Sequence, residues 1–374
     1  MINKNRLIKL AQDLIRINSE NPAGNEVKIV RFVKKYLADC GVRSRIYSFA
    51  KNRPNIIARI KGKQSKRSLL ITPHLDTVPA GNNWKFPPFA ARIHRGKIYG
   101  LGATDCKCNL AVSLEVIRSL AEEKKVLGYD LIFAATADEE SGPGLGLIPL
   151  LKKGVLKPDV ALILDADEFD IIVTQKGLMH LKIKISGKRS HGAYPWRGIN
   201  AIDIAANILK ELKTKKSVFK KNKYLRPPTV NTGTIKGGDK VNVVADWCEI
   251  ELDFRFLPGM RAGKLLAELK QIIKKYAKRF KIEIEGIQQP YEIPEGHALV
   301  RQLKKAVTDC RVRPKIKGSE GATVITFFKE KNIPAVATGF GSAGCAHSAN
   351  EYVEIANLYK GAQILQGFLE NYQF

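Results

Sequence analysis

Two polar residues, His74 and Asp76, follow an apolar run in the segment LLITPHLDTVPAG, residues 69–81. Alternate residues of a strand share one face, so the imidazole and the carboxylate can point the same way. A carboxylate beside an imidazole sets its tautomer and makes it a better base or a better metal ligand. A loop with two polar residues would have the same sequence, so this pair alone does not establish a site.

More acidic and imidazole side chains follow other apolar runs of the chain. They are Asp105 in YGLGATDCKCNL, Glu139 and Glu140 in ATADEESGPG, Asp165 and Asp167 in LILDAD, and His347 in GFGSAGCAHSANEY. Because α/β sheets place chemistry just beyond the carboxyl ends of their strands, we expect these side chains to meet at one rim. Packed carboxylates repel one another unless cations neutralise them. Mixed His/Asp/Glu ligation suits zinc, with manganese or cobalt as substitutes, and one carboxylate can bridge two metals.

The elements that must position these residues alternate between helix and strand in the first part of the chain. Apolar runs predict buried strands at 68–73, 129–140 and 159–167, and the pattern over 107–125 predicts a helix. Such alternation indicates an α/β fold with a mostly parallel central sheet and helices on both faces.

The pattern changes near residue 177, where LMHLKIKISGKR alternates apolar and polar residues as a half-exposed strand does. The predicted order from there is βαββαβ, typical of a small ferredoxin-like sandwich. The α/β pattern returns after QQPYEIPEGH. We therefore predict a catalytic domain built from residues 1–176 and 290–374, with residues 177–289 as an inserted domain and hinges near Gly177 and Pro290.

The chain has 374 residues, of which 44% are hydrophobic and 26% charged. No run approaches the ~20 apolar residues of a membrane span, so we expect no membrane association. The segment MINKNRLIKLAQDLIRI lacks the apolar core of a signal peptide and is interpreted as an amphipathic helix. The expected location is the cytoplasm.

The formal net charge is +27. Its lysines lie mostly on predicted helix faces, with few aromatic residues between them, and the chain has no zinc-finger, RRM or KH signature. These features argue against nucleic-acid binding as the main function. A solvated basic surface, or a field that attracts anionic small molecules, explains the charge better.

The six cysteines are scattered and indicate no disulfide framework. Cys106 and Cys108 follow Asp105 closely. The pair could bind metal, or the two could be small buried residues beneath a site.

Six motifs, in order along nearly the whole chain, resemble those of the M20 metallopeptidases and deacylases. They are PHLDTVP, GLGATDCK, DEESG, the acidic turn after residue 164, KISGKRSHGAYP and AHSANEY. That family includes acetylornithine deacetylases, succinyl-diaminopimelate desuccinylases, carboxypeptidases and aminoacylases.

The resemblance implies two zinc ions and a role for each matching residue. His74 and Asp165 would bind the first zinc, with Asp76 orienting His74 and Asp167 as the fallback for Asp165. Asp105, followed by a cis peptide bond, would bridge the metals. Glu140 and His347 would bind the second zinc, and Glu139 would be the general base.

The resemblance also assigns the inserted domain to dimerisation or to a lid. His191 would reach the partner subunit's site and stabilise the oxyanion. Asn242 and Arg255 would hold the substrate carboxylate or the oxyanion, and Tyr194 would contact the substrate. Arginine suits that task because its planar fork holds a carboxylate at two points. The alternative for Arg255 is a strand arginine that is paired locally.

The chain departs from the family pattern in three of its motifs. Pro73 replaces a usual glycine, Cys106 and Cys108 stand where methionine and glycine are common, and GSEGAT at 318–323 differs from the desuccinylase-type TSDG. These departures remove no ligand but leave the substrate pocket unassigned to any one member.

The predicted reaction is hydrolysis of the amide bond of an N-acyl amino acid by metal-activated water, in a homodimer joined through the inserted domain. A dipeptidase, tripeptidase or carboxypeptidase of the same family is the alternative. A non-catalytic binding module on the same scaffold is the more distant one.

Overall fold

The computed structural model describes residues 1–22, 24–63, 66–142, 144–215 and 218–374. The chain divides into two compact units. The first comprises Met1–Val173, Ile293–Lys317 and Phe327–Phe374, and the second comprises Thr174–Glu292 and Gly318–Thr326.

The elements are numbered here in chain order. The strands are β1 Ser44–Ser48, β2 Pro54–Ile60, β3 Ser68–Thr72, β4 Arg92–His94, β5 Lys97–Tyr99, β6 Asp130–Ala135, β7 Val160–Leu164, β8 Asp170–Gln175, β9 Gly177–Ser186, β10 Thr229–Gly237, β11 Trp247–Phe256, β12 Phe280–Gln288, β13 Tyr291–Glu292, β14 Lys315–Ser319, β15 Ala335–Thr338 and β16 Tyr352–Glu354. The α-helices are α1 Lys4–Ile15, α2 Val27–Asp39, α3 Lys107–Glu122, α4 Leu147–Lys152, α5 Ala201–Thr214, α6 Ala262–Tyr276, α7 Ala298–Asp309, α8 Ile325–Lys329 and α9 Ile355–Asn371.

The largest sheet has the strand order β1-β2-β6-β3-β7-β15-β8-β13, with β14 also pairing β8. Its central strands β6, β3, β7 and β15 run parallel, while β1 and β2 add an antiparallel edge. Every residue of β3, β6 and β7 is buried, as expected of strands covered on both faces. The predicted α/β architecture is confirmed.

Two central strands end earlier than the apolar runs predict. Strand β6 ends at Ala135 rather than residue 140, and β7 ends at Leu164 rather than 167. After Thr136, side chains accept backbone N–H groups: Asn55 accepts that of Ala137 at 2.9 Å, and Asp76 accepts those of Glu139 and Glu140 at 3.1 Å. The acidic residues therefore lie on turns that follow the strands.

Helix α3 is the central helix of the first unit and packs against α1, α2 and α9. Most of its residues are buried, including Glu115, which receives the Arg6 guanidinium at 2.7 Å. Helix α1 begins at an Asn3 cap, whose side chain accepts the Arg6 N–H at 3.0 Å. Among the described residues, no helix is both long enough and apolar enough to cross a membrane.

The second unit contains an antiparallel sheet of order β10-β11-β9-β12, whose chain order with α5 and α6 is βαββαβ. Residues of β9 and β11 alternate between buried and partly exposed. The buried set, including Leu181, Ile183, Ile250 and Leu252, packs with apolar residues of α5 and α6 into one core. The period-two pattern of LMHLKIKI arises because helices cover one face of this sheet.

The segment Gly318–Thr326 belongs to the second unit, although the sequence assigned it to the catalytic domain. Its contacts explain the difference. Glu320 pairs with buried Lys176 at 2.6 Å, and the Thr323 N–H donates to Gln175 at 3.1 Å. A short segment that is held in the second unit by polar side chains shows no hydrophobic periodicity, so its place could not be predicted from the sequence.

Candidate metal centre

Four of the predicted site residues lie just after three parallel strands, whereas Asp105 lies two residues before α3 and His347 lies nine residues beyond β15. His74 follows β3, Glu139 and Glu140 follow β6, and Asp165 follows β7. Because β3 is hydrogen-bonded to β6 on one side and to β7 on the other, these four residues leave the sheet at the same edge.

His74 is buried and held at both ring nitrogens. Its Nδ1 lies 2.9 Å from the backbone carbonyl of Asp76, which can only accept, so Nδ1 carries a proton and Nε2 is the nitrogen left to bind a metal. Nε2 lies 2.8 Å from Asp105 Oδ1 and 3.8 Å from Asp165 Oδ1. The Asp76 carboxylate, which the sequence assigned to orienting this ring, is farther away at 3.6 Å from Nδ1. The carbonyl of the same residue is the closer partner.

Asp105 lies between the two histidines. Its Oδ1 faces His74 Nε2, and its Oδ2 is 3.1 Å from His347 Nε2. The peptide bond between Asp105 and Cys106 is cis. One carboxylate thus presents one oxygen to each imidazole, which is the arrangement a bridging ligand requires.

On the His74 side, Glu139 and Asp165 have carboxylate oxygens within 4.8 Å of each other and of a His74 nitrogen. On the His347 side, Asp105 and Glu140 are grouped with His347 in the same way. His347 Nε2 lies 3.1 Å from both oxygens of Glu140. Asp167 joins none of the groups found among the described residues, so the geometry favours Asp165 over this fallback.

The charges in this cluster perturb one another strongly. Burial, followed by the neighbouring Asp105, raises the pKa of Asp165 to about 7. Burial and then Asp165 likewise raise the pKa of Glu139 well above its usual range. Hydrogen bonds to Asp105 and Glu140 raise the pKa of His347 to about 10. The raised pKa values of two carboxyl groups and of one imidazole indicate an excess of negative charge in the cluster. Divalent cations would neutralise that charge.

The donor set fits two metals. On the His347 side the donors are an imidazole nitrogen and carboxylate oxygens. On the His74 side they are the same types together with the Cys106 thiol. Nitrogen and oxygen ligands of this kind suit zinc, cobalt or manganese.

Both cysteines near Asp105 are buried. The Cys106 thiol accepts the His74 backbone N–H at 3.1 Å and lies within 4.8 Å of ligand atoms of His74 and Asp105. The Cys108 thiol donates to the Thr104 carbonyl at 3.0 Å. Cys108 therefore matches the packing interpretation, while Cys106 packs directly beneath the His74 side of the cluster.

One residue of the site, Glu351, was not predicted, although it lies within the motif AHSANEY. The buried Glu351 carboxylate accepts the backbone N–H groups of Gly102, Thr104 and Asp105 at 2.7–2.8 Å. Burial raises its pKa to about 7 despite those three bonds. Glu351 thereby fixes the loop that carries Asp105, and its position within a motif quoted for His347 was the available signal.

A buried network behind Asp76 was also missed. Arg53 lies between Glu26, at 2.9 Å, and Asp138, at 2.8 Å. The Asn21 amide donates to Asp76 at 2.9 Å and to Asp138 at 3.3 Å. These residues are distant in sequence and share no spacing pattern, so nothing in the sequence pointed to them.

The remaining predicted residues belong to the second unit. His191 Nδ1 accepts the Ala193 N–H at 3.0 Å, and the Asn242 carbonyl accepts the Gly192 N–H at 2.8 Å. The Tyr194 ring centroid lies 5.8 Å from that of His191. Arg255 forms an ion pair with Asp253, Nε to Oδ1 at 2.8 Å, as the local-pairing alternative expects. The roles of these four residues toward a substrate stay predictions.

Known proteins resemble this chain over nearly its full length. The model of peptidase family M20/M25/M40 matches residues 70–371. An uncharacterized metallohydrolase of Methanocaldococcus jannaschii is 30% identical over 409 residues, covering 97% of this chain and 98% of that protein. Acetylornithine deacetylase of Yersinia pseudotuberculosis is 27% identical, covering 92% of this chain and 90% of the relative. The crystal structure of a tripeptidase from Staphylococcus aureus aligns with a TM-score of 0.83 and 25% identity, covering 99% of this chain and 98% of that one.

Proposed function

The chain belongs to peptidase family M20/M25/M40, and on that premise we propose that it is a two-metal hydrolase that cleaves the amide bond of N-acyl amino acids. The observation that carries the proposal is the position of Asp105, with one oxygen 2.8 Å from His74 and the other 3.1 Å from His347. A single carboxylate between two imidazoles, each backed by a further carboxylate, is suited to binding a pair of cations.

We assign His74 and Asp165 to one metal, Glu140 and His347 to the other, and Asp105 to both. Zinc is the proposed metal because imidazole and carboxylate ligands suit it, and cobalt or manganese would substitute. When bound, the pair would supply Lewis acidity and lower the pKa of an attacking water.

Glu139 is the proposed general base. Its carboxylate is grouped with His74 and Asp165, the two residues assigned to the first metal alone. Glu139 accepts a proton as the water oxygen bonds to the carbonyl carbon, and returns it to the nitrogen as the C–N bond breaks. The products are a carboxylate and an amine, and no serine or cysteine nucleophile is required.

His191 is proposed to stabilise the oxyanion in the partner subunit's site. Its Nδ1 accepts the Ala193 N–H, which leaves the proton on Nε2, and an N–H donor is what an oxyanion needs. Homodimerisation through the second unit is proposed because β10 is an edge strand whose residues are mostly exposed. Arg255, Asn242 and Tyr194 are proposed to contact the substrate.

Peptide hydrolysis by the same machinery is the second candidate. It is favoured by the 25% identity to the Staphylococcus aureus tripeptidase over 99% of this chain. The acyl-amino-acid proposal is favoured by the 27% identity to acetylornithine deacetylase. A peptide bond and an acyl amide are both amides, so the two substrates need the same catalytic groups and differ in what surrounds them.

The test is a substrate panel on zinc- or cobalt-loaded protein: N-acetylornithine, N-succinyl-diaminopimelate, dipeptides and tripeptides, with Glu139→Gln as the matched inactive control. Metal content is measured on the same samples. Two metals per chain with hydrolysis of an N-acyl amino acid would support the proposal. Cleavage of peptides alone would transfer the assignment to the second candidate. Absence of bound metal and of hydrolysis would support the non-catalytic binding module instead.

A further inference from the structure

The first unit carries a strongly basic groove of about 930 Å³. Five cationic side chains line it, from α2, from β1 and β2, and from the residues that flank those strands. They are Lys34, Arg43, Arg45, Arg59 and Lys61. No carboxylate is among the described residues that line this groove, and all five cations are exposed.

These cations are poorly neutralised by their surroundings. Arg59 lies 3.8 Å from Asp130, and for the other four the described residues include no carboxylate within 4.0 Å. Lysines elsewhere on the helices often have an acidic partner four residues away, as in Lys35–Asp39 and Lys305–Asp309. The net charge of +27 is therefore not spread evenly over the surface, because the groove holds five cations and its described lining includes no carboxylate.

The strand pairing aligns the cations. Arg45 is directly opposite Ile57 on the antiparallel strands β1 and β2, so Arg45, Tyr47 and Arg59 share one face of the sheet. Residues two apart on a strand are separated by about 7 Å. Arg43 and Lys61 extend this face beyond the strand ends, which produces a row of charges comparable in spacing to the phosphates of an extended polynucleotide.

A second basic groove, of about 450 Å³, continues the first. Lys152, Lys153, Lys157 and Lys331 line it, again with no carboxylate among its described lining residues. Val155 lines the first groove and its neighbours Gly154 and Leu156 line the second, so the two are contiguous.

The grooves lie away from the metal centre. Residues Lys157 and Lys331 precede β7 and β15, and Lys61 follows β2, whose end pairs with the beginning of β6. These three lysines lie at the amino end of the parallel strands, whereas Arg45 and Tyr47 lie on the edge strand β1, level with the carboxyl end of β6. The described residues that line the two grooves include none of the assigned metal ligands. A ligand bound here would not occupy the candidate active site.

We propose that this surface binds the phosphate backbone of a single-stranded nucleic acid. Arginine forks bind phosphate oxygens in pairs, and Tyr47 at the groove wall offers a ring for a base to stack on. A concave row of cations fits a strand better than it fits a flat bilayer. The site would act in addition to hydrolysis, so it does not depend on the proposed reaction.

The test measures binding of a fluorescent 15-nucleotide single strand of mixed sequence by anisotropy, across a salt series. Five phosphate contacts predict a slope of log K against log salt of about −3.5, so that a fourfold rise in salt weakens binding roughly a hundredfold. The variant Arg43→Glu/Arg45→Glu should bind at least tenfold more weakly.

The matched control is Arg301→Glu/Lys304→Glu on α7, which changes the net charge equally at exposed residues outside the grooves. It should weaken binding less than threefold. The neutral variant Arg43→Gln/Arg45→Gln should reduce the slope by about 1.4, since two contacts are removed. Circular dichroism and thermal unfolding verify that each variant is folded.

Three outcomes would overturn the proposal. Equal weakening by the groove and control variants would mean that only overall charge matters. Binding to phosphatidylserine vesicles but not to the oligonucleotide would assign the surface to a membrane. Displacement of the oligonucleotide by polyglutamate at equal charge concentration would assign it to acidic peptides.

Discussion

One oxygen of the Asp76 carboxylate, Oδ2, accepts the backbone N–H of Glu140 at 3.1 Å. The other oxygen accepts the N–H of Glu139 at the same distance. Asp76 is fully buried and also receives the Asn21 amide at 2.9 Å. One side chain on the loop after β3 thus fixes the turn after β6, and with it the carboxylates assigned to catalysis and to the second metal.

Replacing Asp76 with asparagine should therefore loosen that turn, because the amide nitrogen would face a backbone N–H that needs an acceptor. We expect metal affinity to fall roughly 10- to 100-fold, as for other partners of metal ligands. Competition with a fluorescent chelator measures this. The control is Asp130→Asn: Asp130 accepts the Gly62 N–H at 3.0 Å at the opposite end of β6 and should alter stability without altering metal affinity. Unchanged metal affinity in Asp76→Asn would contradict the proposed role.

Glu139→Gln should retain two metals and lose turnover by roughly 10²- to 10⁴-fold, because the amide cannot carry the transferred proton. Glu140→Gln should instead lose metal, since Glu140 is grouped with Asp105 and His347. Metal analysis together with kcat separates the two variants. Substantial turnover in Glu139→Gln would exclude it as the base.

Arg53→Met should destabilise the fold strongly. The guanidinium separates two buried carboxylates, Glu26 at 2.9 Å and Asp138 at 2.8 Å, which would then repel each other without compensation. We expect the free energy of unfolding to fall by about 3–5 kcal/mol.

Chemical denaturation measures that loss. The control is Arg118→Met, whose partner Glu122 is exposed and 2.8 Å away. That change should cost about 1 kcal/mol or less. Similar losses in the two variants would show that the Arg53 network adds nothing beyond a surface pair.

Stability should depend on pH through His297, the N-cap of α7. Its Nδ1 accepts the Leu299 N–H at 3.1 Å, which only the neutral ring can do. Burial, followed by Arg301, lowers the pKa of His297 below 6.5. The unfolded chain therefore binds the proton more readily, and the cap's contribution is complete above pH 6.5 and lost as pH falls through the folded pKa.

The loss should be about 1 kcal/mol, the usual value of a cap. His297→Asn keeps a capping oxygen that does not titrate, so its unfolding free energy should change less than that of the parent between pH 7 and pH 5. Parallel pH dependence of the two proteins would contradict the assignment.

Local patterns along the chain were sufficient for the architecture and for the ligand candidates. Buried strands such as β3 and β7 are continuous apolar runs, and β9 alternates, because each strand's covered faces determine its residue types. His74, Glu139, Glu140 and Asp165 were recognisable because each follows such a run closely, whereas Asp105 lies just before α3 and His347 lies nine residues beyond β15. The choice between Asp165 and Asp167 was not decided by that rule, since both follow β7 within three residues of its end.

Tertiary structure alone decided which groups touch. His74 and Asp105 are 31 positions apart, and Asp105 and His347 are more distant still, yet all three meet at hydrogen-bonding distances. The supports of the site, Glu351 under Asp105 and Asn21 beside Asp76, are single polar residues with no periodicity. Periodicity reports how one segment faces the core, whereas a hydrogen bond between distant segments depends on the packing of the whole unit, which no local pattern contains.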